Sequence, residues 1–170
     1  MVELKVYHLM WEKYSWYDFD LEKFKEKKHK GVYQIYGTHH VYGPNSLLYI
    51  GQTQNQTFGD RLNPKQHWDF NVNHFTEFSS VYIGMLLDRD DSSKSKYEEI
   101  INDVESILIN ALCPAFNATN IKGLKEFSPK NEFLVINWDN YGRMLPEVST
   151  LKFSNKYWDD NKYPNKLLFE

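Results

Sequence analysis

The chain has 170 residues, about one domain's worth and enough to bury a core without disulfide staples. With 41% hydrophobic and 25% charged residues its composition is ordinary globular usage, which excludes disordered, collagen-like and coiled-coil classes. A net charge of −3 excludes a basic protein that coats nucleic acid non-specifically.

No apolar run approaches the ~18–20 residues of a membrane span, and the opening MVELKVYH lacks a secretory apolar stretch. The single cysteine, Cys113, fits a reducing compartment. The expectation is a cytoplasmic protein with no membrane partner. Aromatic content is high at 16%, which by itself signals core mass.

In chain order, residues 2–8 alternate as a strand does, with Val2, Leu4 and Val6 against Glu3, Lys5 and Tyr7. From Asp18 the pattern DFDLEKFKEKKH reads as a helix with Phe19, Leu21 and Phe24 inward. Segments 31–37 (GVYQIYG) and 46–52 (SLLYIGQ) are strands separated by Gly43, Pro44 and Asn45, so they form a hairpin. Thr57 and Asp60 make a variant capping box that opens a short helix, which Pro64 must stop or kink within about two turns. Segment 78–87 is a third strand, 95–112 a helix ending at Cys113-Pro114, and 132–138 another strand. The sum is an α+β fold: a small central antiparallel sheet of about three strands flanked by helices, with extensions at both ends.

On the long helix, Tyr97, Ile100, Ile101, Val104, Leu108, Ala111 and Leu112 share one stripe. Glu105 lies at the stripe's edge, between Ile101 and Ile109. A carboxylate there must be paired, protonated, bound to a cation, or reach water with its head, since stranding a charge in apolar surroundings is costly.

Four pieces then stand in order: Gly31-Val32-Tyr33 opening one strand, Tyr49-Ile50-Gly51 in the next, Arg61 on the short helix, and Glu105 followed by Pro114 and Asn117. This arrangement resembles the GIY-YIG nucleases, over roughly residues 30–118, with residues 1–29 and 119–170 as accessory regions of a single domain. The resemblance implies a GIY-YIG-like fold and an endonuclease hydrolysing phosphodiesters in DNA at a single divalent metal, Mg²⁺ or Mn²⁺. It implies that Tyr33 accepts or orients the proton of the attacking water and that Tyr49 hydrogen-bonds a phosphate oxygen or the nucleophile. Arg61 would hold the scissile phosphate, for which its planar donor fork is suited. Glu105 would be the sole protein ligand of the metal, water filling the remaining positions as Mg²⁺ tolerates. Gly31, Gly51 and Asn117 would be structural.

The hairpin makes chemical sense of this set. Pairing Tyr33 with Tyr49 and Gly31 with Gly51 puts two phenols beside two side-chain-free positions, where a phosphate could approach the sheet. Val32, Tyr36, Leu48 and Ile50 then turn to the other face, into the core. A cross-strand Tyr–Tyr pair that only stabilises the sheet is the plainer alternative. Two departures from the family pattern stand out. The interval from Tyr49 to Arg61 is long, and where many members carry histidine or tyrosine one turn after the arginine, this chain has Lys65, with His67 two residues on. Either could contact phosphate or assist proton transfer.

Asp88, Asp90, Ser92 and Glu99 echo a calcium loop but lack its glycine, Ser93 standing there. His39-His40 falls in the hairpin loop, where exposure is expected, and Cys113 reads as a packing residue. Charge is uneven: residues 22–30 carry five lysines against two glutamates, and residues 86–105 seven acids against three bases. A DNA-facing surface would draw on Lys25, Lys27, Lys28, Lys122 and Lys125, and the last thirty residues interleave bases with aromatics as nucleic-acid surfaces do. The rival readings are a non-catalytic nucleic-acid-binding module that keeps the fold, and a protein-interaction domain in which the motif match is chance.

Overall fold

The computed structural model describes residues 4–26, 30–63, 78–87, 94–117 and 132–153. Its strands are β1 (Lys5–Ser15), β2 (Val32–His39), β3 (Gly43–Gln52), β4 (Phe78–Leu86), β5 (Phe133–Asp139) and β6 (Glu147–Ser149). Among the described residues the α-helices are α1 (Phe58–Arg61) and α2 (Lys94–Leu112), and short 3₁₀ turns lie at Glu22–Phe24 and Thr150–Phe153. The strands form one six-stranded sheet in the order β3-β2-β4-β1-β5-β6. All neighbours are antiparallel except β1 and β5, which run parallel.

This corrects the expected architecture. The sheet has six strands, not about three, it is mixed, and it is not a small GIY-YIG-like sheet flanked by helices. β1 continues well past residue 8, because the alternation of Leu9 and Trp11, both fully buried, with Met10 and Glu12 extends the strand. Its other edge takes β5 in parallel, and β5 in turn takes β6. The helix expected from Asp18 is a single 3₁₀ turn. Phe19 stacks on Phe24 and meets Tyr14 of β1 edge-on, so Phe24 is buried and Phe19 half-buried without a helical repeat.

The sheet carries a core on each face. On one, α2 lays Ile101, Val104, Ile107 and Leu108 against Leu9, Trp11, Val32, Ile50 and Val135. On the other, Tyr33, Ile35, Val81 and Ile83 pack with Phe24, Phe58 and Leu62. At about 25 cal/mol per Å² of apolar surface removed from water, these two layers supply the main stabilisation. No helix among the described residues is long and apolar enough to cross a membrane.

The β2–β3 hairpin is offset by two residues from the expected pairing: Tyr33 lies opposite Gly51 and Ile35 opposite Tyr49. An even offset keeps every side chain on its face, so Tyr33, Tyr49 and Gly51 still share a side. One side chain does change. The register shifts between Ile35 and Tyr36, and the extra residue is on β3, as in a β-bulge. Leu48 therefore joins the core of Tyr33 and Ile35, not that of Val32 and Ile50.

Candidate active site

β3 is an edge strand, with β2 on one side only. Its exposed edge is finished by the chain just after α2. The N–H groups of Ala115 and Phe116 donate to the carbonyls of Leu47 and Leu48. The Asn117 side chain completes the edge: its Oδ1 accepts from Ile50 N at 2.9 Å and its Nδ2 donates to Ile50 O at 2.7 Å. One buried amide thus satisfies both backbone groups of a residue that would otherwise lie unpaired at a sheet edge.

At the end of this edge the layers on the two sheet faces come within reach of each other. Gly51 makes room for them: a Cβ there would lie 2.4 Å from both Cζ and the hydroxyl oxygen of Tyr33, and 2.7 Å from Cε1 of Tyr49. The two phenol rings stack over it at 6.1 Å between centroids. Gly31 is needed for a different reason, since a Cβ would meet the carbonyl oxygen of Gly84 at 2.1 Å. Its backbone is pinned to Thr53, whose hydroxyl accepts from Gly31 N at 2.8 Å and whose N–H donates to Gly31 O at 3.0 Å.

Arg61 arrives on α1. Thr57 and Asp60 form the capping box, with the Asp60 N–H donating to Thr57 Oγ1 and the Thr57 backbone and hydroxyl both donating to Asp60. The Asp60 carboxylate is thereby committed to the helix start, and Arg61 turns to the phenols: its Nε donates to the Tyr33 hydroxyl at 3.2 Å, and its charge also acts on Tyr49. Tyr33 is fully buried. Its phenol is pushed well above the ordinary range by burial and then by Tyr49, against the opposing pull of Arg61. The Tyr49 phenol is raised too, by burial and then by Glu105.

Glu105 comes from α2. Burial pushes its carboxyl up to about 7, while a hydrogen bond from Gln52 and the charge of Arg61 act the other way. Glu105 and Arg61 face a common cleft of about 350 Å³, whose wall is completed by Gln52, Thr53, Gln54, Asn55 and Gln56. Tyr33, Tyr49, Arg61 and Glu105 are therefore brought together, with Gly31, Gly51 and Asn117 supporting them. Lys65, His67, Lys27, Lys28, Lys122 and Lys125 lie outside the described residues. Lys25 is paired with Glu22 and is held near Asp60. Cys113 is exposed at a positive φ of 46°, not packed as its position suggested. His39 serves its own turn, Nδ1 accepting from the N–H groups of Val41 and Tyr42.

The site also contains residues the motif did not single out. Gln52 follows the second tripeptide, and strand alternation places it with Ile50 on the α2 face, beside Glu105; that alternation was the available signal. Lys30 ties the wall to β2 by donating from Nζ to the Gln54 carbonyl at 3.4 Å. The donor set suits a hard divalent cation, which takes oxygen ligands and keeps several waters. Glu105 offers carboxylate oxygens, and Gln52 Oε1 beside it is buried with no hydrogen-bond partner among the described residues. Among the described residues no group of three His, Cys, Asp or Glu side chains is placed to hold a metal, and Glu105 is the carboxylate that lines the cleft. No family model, curated protein or solved structure matches the chain.

Proposed function

We propose that the protein is a divalent-metal-dependent endonuclease that hydrolyses phosphodiester bonds in DNA at this cleft. The observation that carries the proposal is the meeting of Arg61 and Glu105 in one cleft, with the arginine oriented by the Tyr33 hydroxyl. An arginine and a carboxylate lining one cleft suit a phosphodiester and a cation side by side.

Glu105, held by Gln52, would carry Mg²⁺ or Mn²⁺, and the ion supplies charge stabilisation to the phosphoryl oxygens and the leaving oxygen. Arg61 binds the scissile phosphate through the N–H groups not committed to the phenols, a charge-assisted contact that strengthens as negative charge builds on phosphorus. Tyr33 has the role of a strut. Fully buried, and with its phenol pushed up, it keeps its proton at neutral pH and fixes the guanidinium plane by accepting from Nε. Tyr49, less deeply placed, presents its hydroxyl as a donor to a phosphate oxygen or to the attacking water. The polar wall of residues 52–56 offers amide groups to the nucleotides flanking the cut.

Incubation with supercoiled, linear, methylated and branched DNA, each with Mg²⁺ and with EDTA, tests the proposal. Cleavage of at least one form in Mg²⁺ and of none in EDTA is expected. Intact DNA throughout, with folded protein, would refute it.

A further inference from the structure

Gln52 is the neighbour of Glu105 whose own hydrogen bonding is unfinished. It lines the cleft beside Glu105 and favours the ionised carboxylate, while Oε1 is buried and has no hydrogen-bond partner among the described residues. The ionised carboxylate cannot satisfy that atom, because both are acceptors; the protonated carboxyl, whose O–H donates, can. A buried acceptor left unpaired is destabilising, and methionine, of similar volume, would pack there without that cost. When Glu105 is ionised, as cation binding requires, Gln52 Oε1 is therefore an acceptor in reserve beside it.

We propose that Gln52 is a positioning residue of the cation site, its N–H fixing the Glu105 carboxylate and its carbonyl oxygen accepting from water carried in by the cation. This rests on the reading of Glu105 as the metal ligand. Groups that hydrogen-bond a ligating carboxylate commonly set metal affinity by about 10–100-fold, and Gln52 is placed to do so here.

The test is calorimetric titration of the DNA-free full chain with Mn²⁺, for wild type, Gln52→Met, Gln52→Leu and Glu105→Ala. Both Gln52 variants are expected to fold in EDTA and to bind Mn²⁺ about 10–100-fold more weakly. Cleavage rates in these variants should recover at high Mn²⁺, which a purely structural defect would not allow. Glu105→Ala should lose Mn²⁺ binding altogether. If Glu105→Ala loses binding but the Gln52 variants match wild type, the role of Gln52 is refuted and Glu105 stays the ligand. If Glu105→Ala binds like wild type, the reading of Glu105 falls, and this inference with it. Failure of both Gln52 variants to fold would also overturn the inference, by marking the amide as structural.

Discussion

Replacing Glu105 with glutamine removes the charge and keeps the shape, so it isolates what burying that carboxylate does to the fold. The carboxyl is raised from 4.5 to about 7, chiefly by burial. One pKa unit is worth 1.36 kcal/mol, so the ionised group opposes folding by about 3 kcal/mol once it is charged in both states. The sign follows from the direction of the shift. Below pH 4.5 the group is protonated folded and unfolded, and nothing is lost. Between 4.5 and 7 the unfolded chain gives up the proton and the folded chain keeps it, so stability falls as pH rises through that window. Above it the full penalty applies. In EDTA, Glu105→Gln should therefore be more stable than wild type by about 2–3 kcal/mol at pH 8, and by less than about 1 kcal/mol at pH 5. Urea unfolding followed by tryptophan fluorescence, both proteins at both pH values, reads the difference directly, and the other titrating groups cancel between the two chains. A variant equally stable to wild type at both pH values, or less stable at pH 8, would refute the reasoning. It would mean that the attraction of Arg61 outweighs desolvation and that Glu105 is a structural ion-pair partner.

Three further expectations follow from the geometry. Gly51→Ala would drive a methyl group into both phenol rings; it should destabilise by about 1–3 kcal/mol and displace Arg61, visible as a lowered urea midpoint together with loss of cleavage. Asn117→Ala leaves the N–H and C=O of Ile50 without their partner; a loss of about 2–4 kcal/mol is expected from two unsatisfied backbone groups, measured by the same unfolding assay, and a change under about 0.5 kcal/mol would show that water takes over the edge. Neutralising Lys27, Lys28, Lys122 and Lys125 should weaken DNA binding and flatten its salt dependence by about 0.9 in log K per log salt for each phosphate no longer neutralised, whereas Lys25→Ala, already paired with Glu22, should change the slope little; filter binding across a salt series reports both.

The legible part of the molecule was the part whose signals are local. The capping box of Thr57 and Asp60, the stripe of α2 with Glu105 at its margin, and the hairpin of β2 and β3 each depend on neighbours a few residues apart, and each is present. The turn, however, falls at residues 40–42, and Gly43, Pro44 and Asn45, expected to separate the strands, begin β3. The convergence of Tyr33, Tyr49, Arg61 and Glu105 could be anticipated from a resemblance, because side-chain alternation on a hairpin survives a two-residue slip in register. The width of the sheet could not. The parallel pairing of β1 with β5 joins Lys5 to Phe133, and no local pattern announces a partner that distant. The charged run after Asp18 carried helical spacing, yet Phe19 and Phe24 are satisfied by stacking on each other beneath Tyr14. Packing overrode propensity there. Gln52 went unnoticed because glutamine at a strand end is ordinary, and its meaning depends on α2 lying alongside.

The central claim is that one carboxylate and one arginine in this cleft cut DNA. Its most direct test is the single-turnover cleavage rate at saturating protein for wild type, Glu105→Gln and Arg61→Ala, on whichever DNA form the wild type cuts, with DNA affinity measured in parallel. The expected result is a rate reduced at least about 10²-fold in both variants, with affinity changed far less. Cleavage by either variant at the wild-type rate would contradict it.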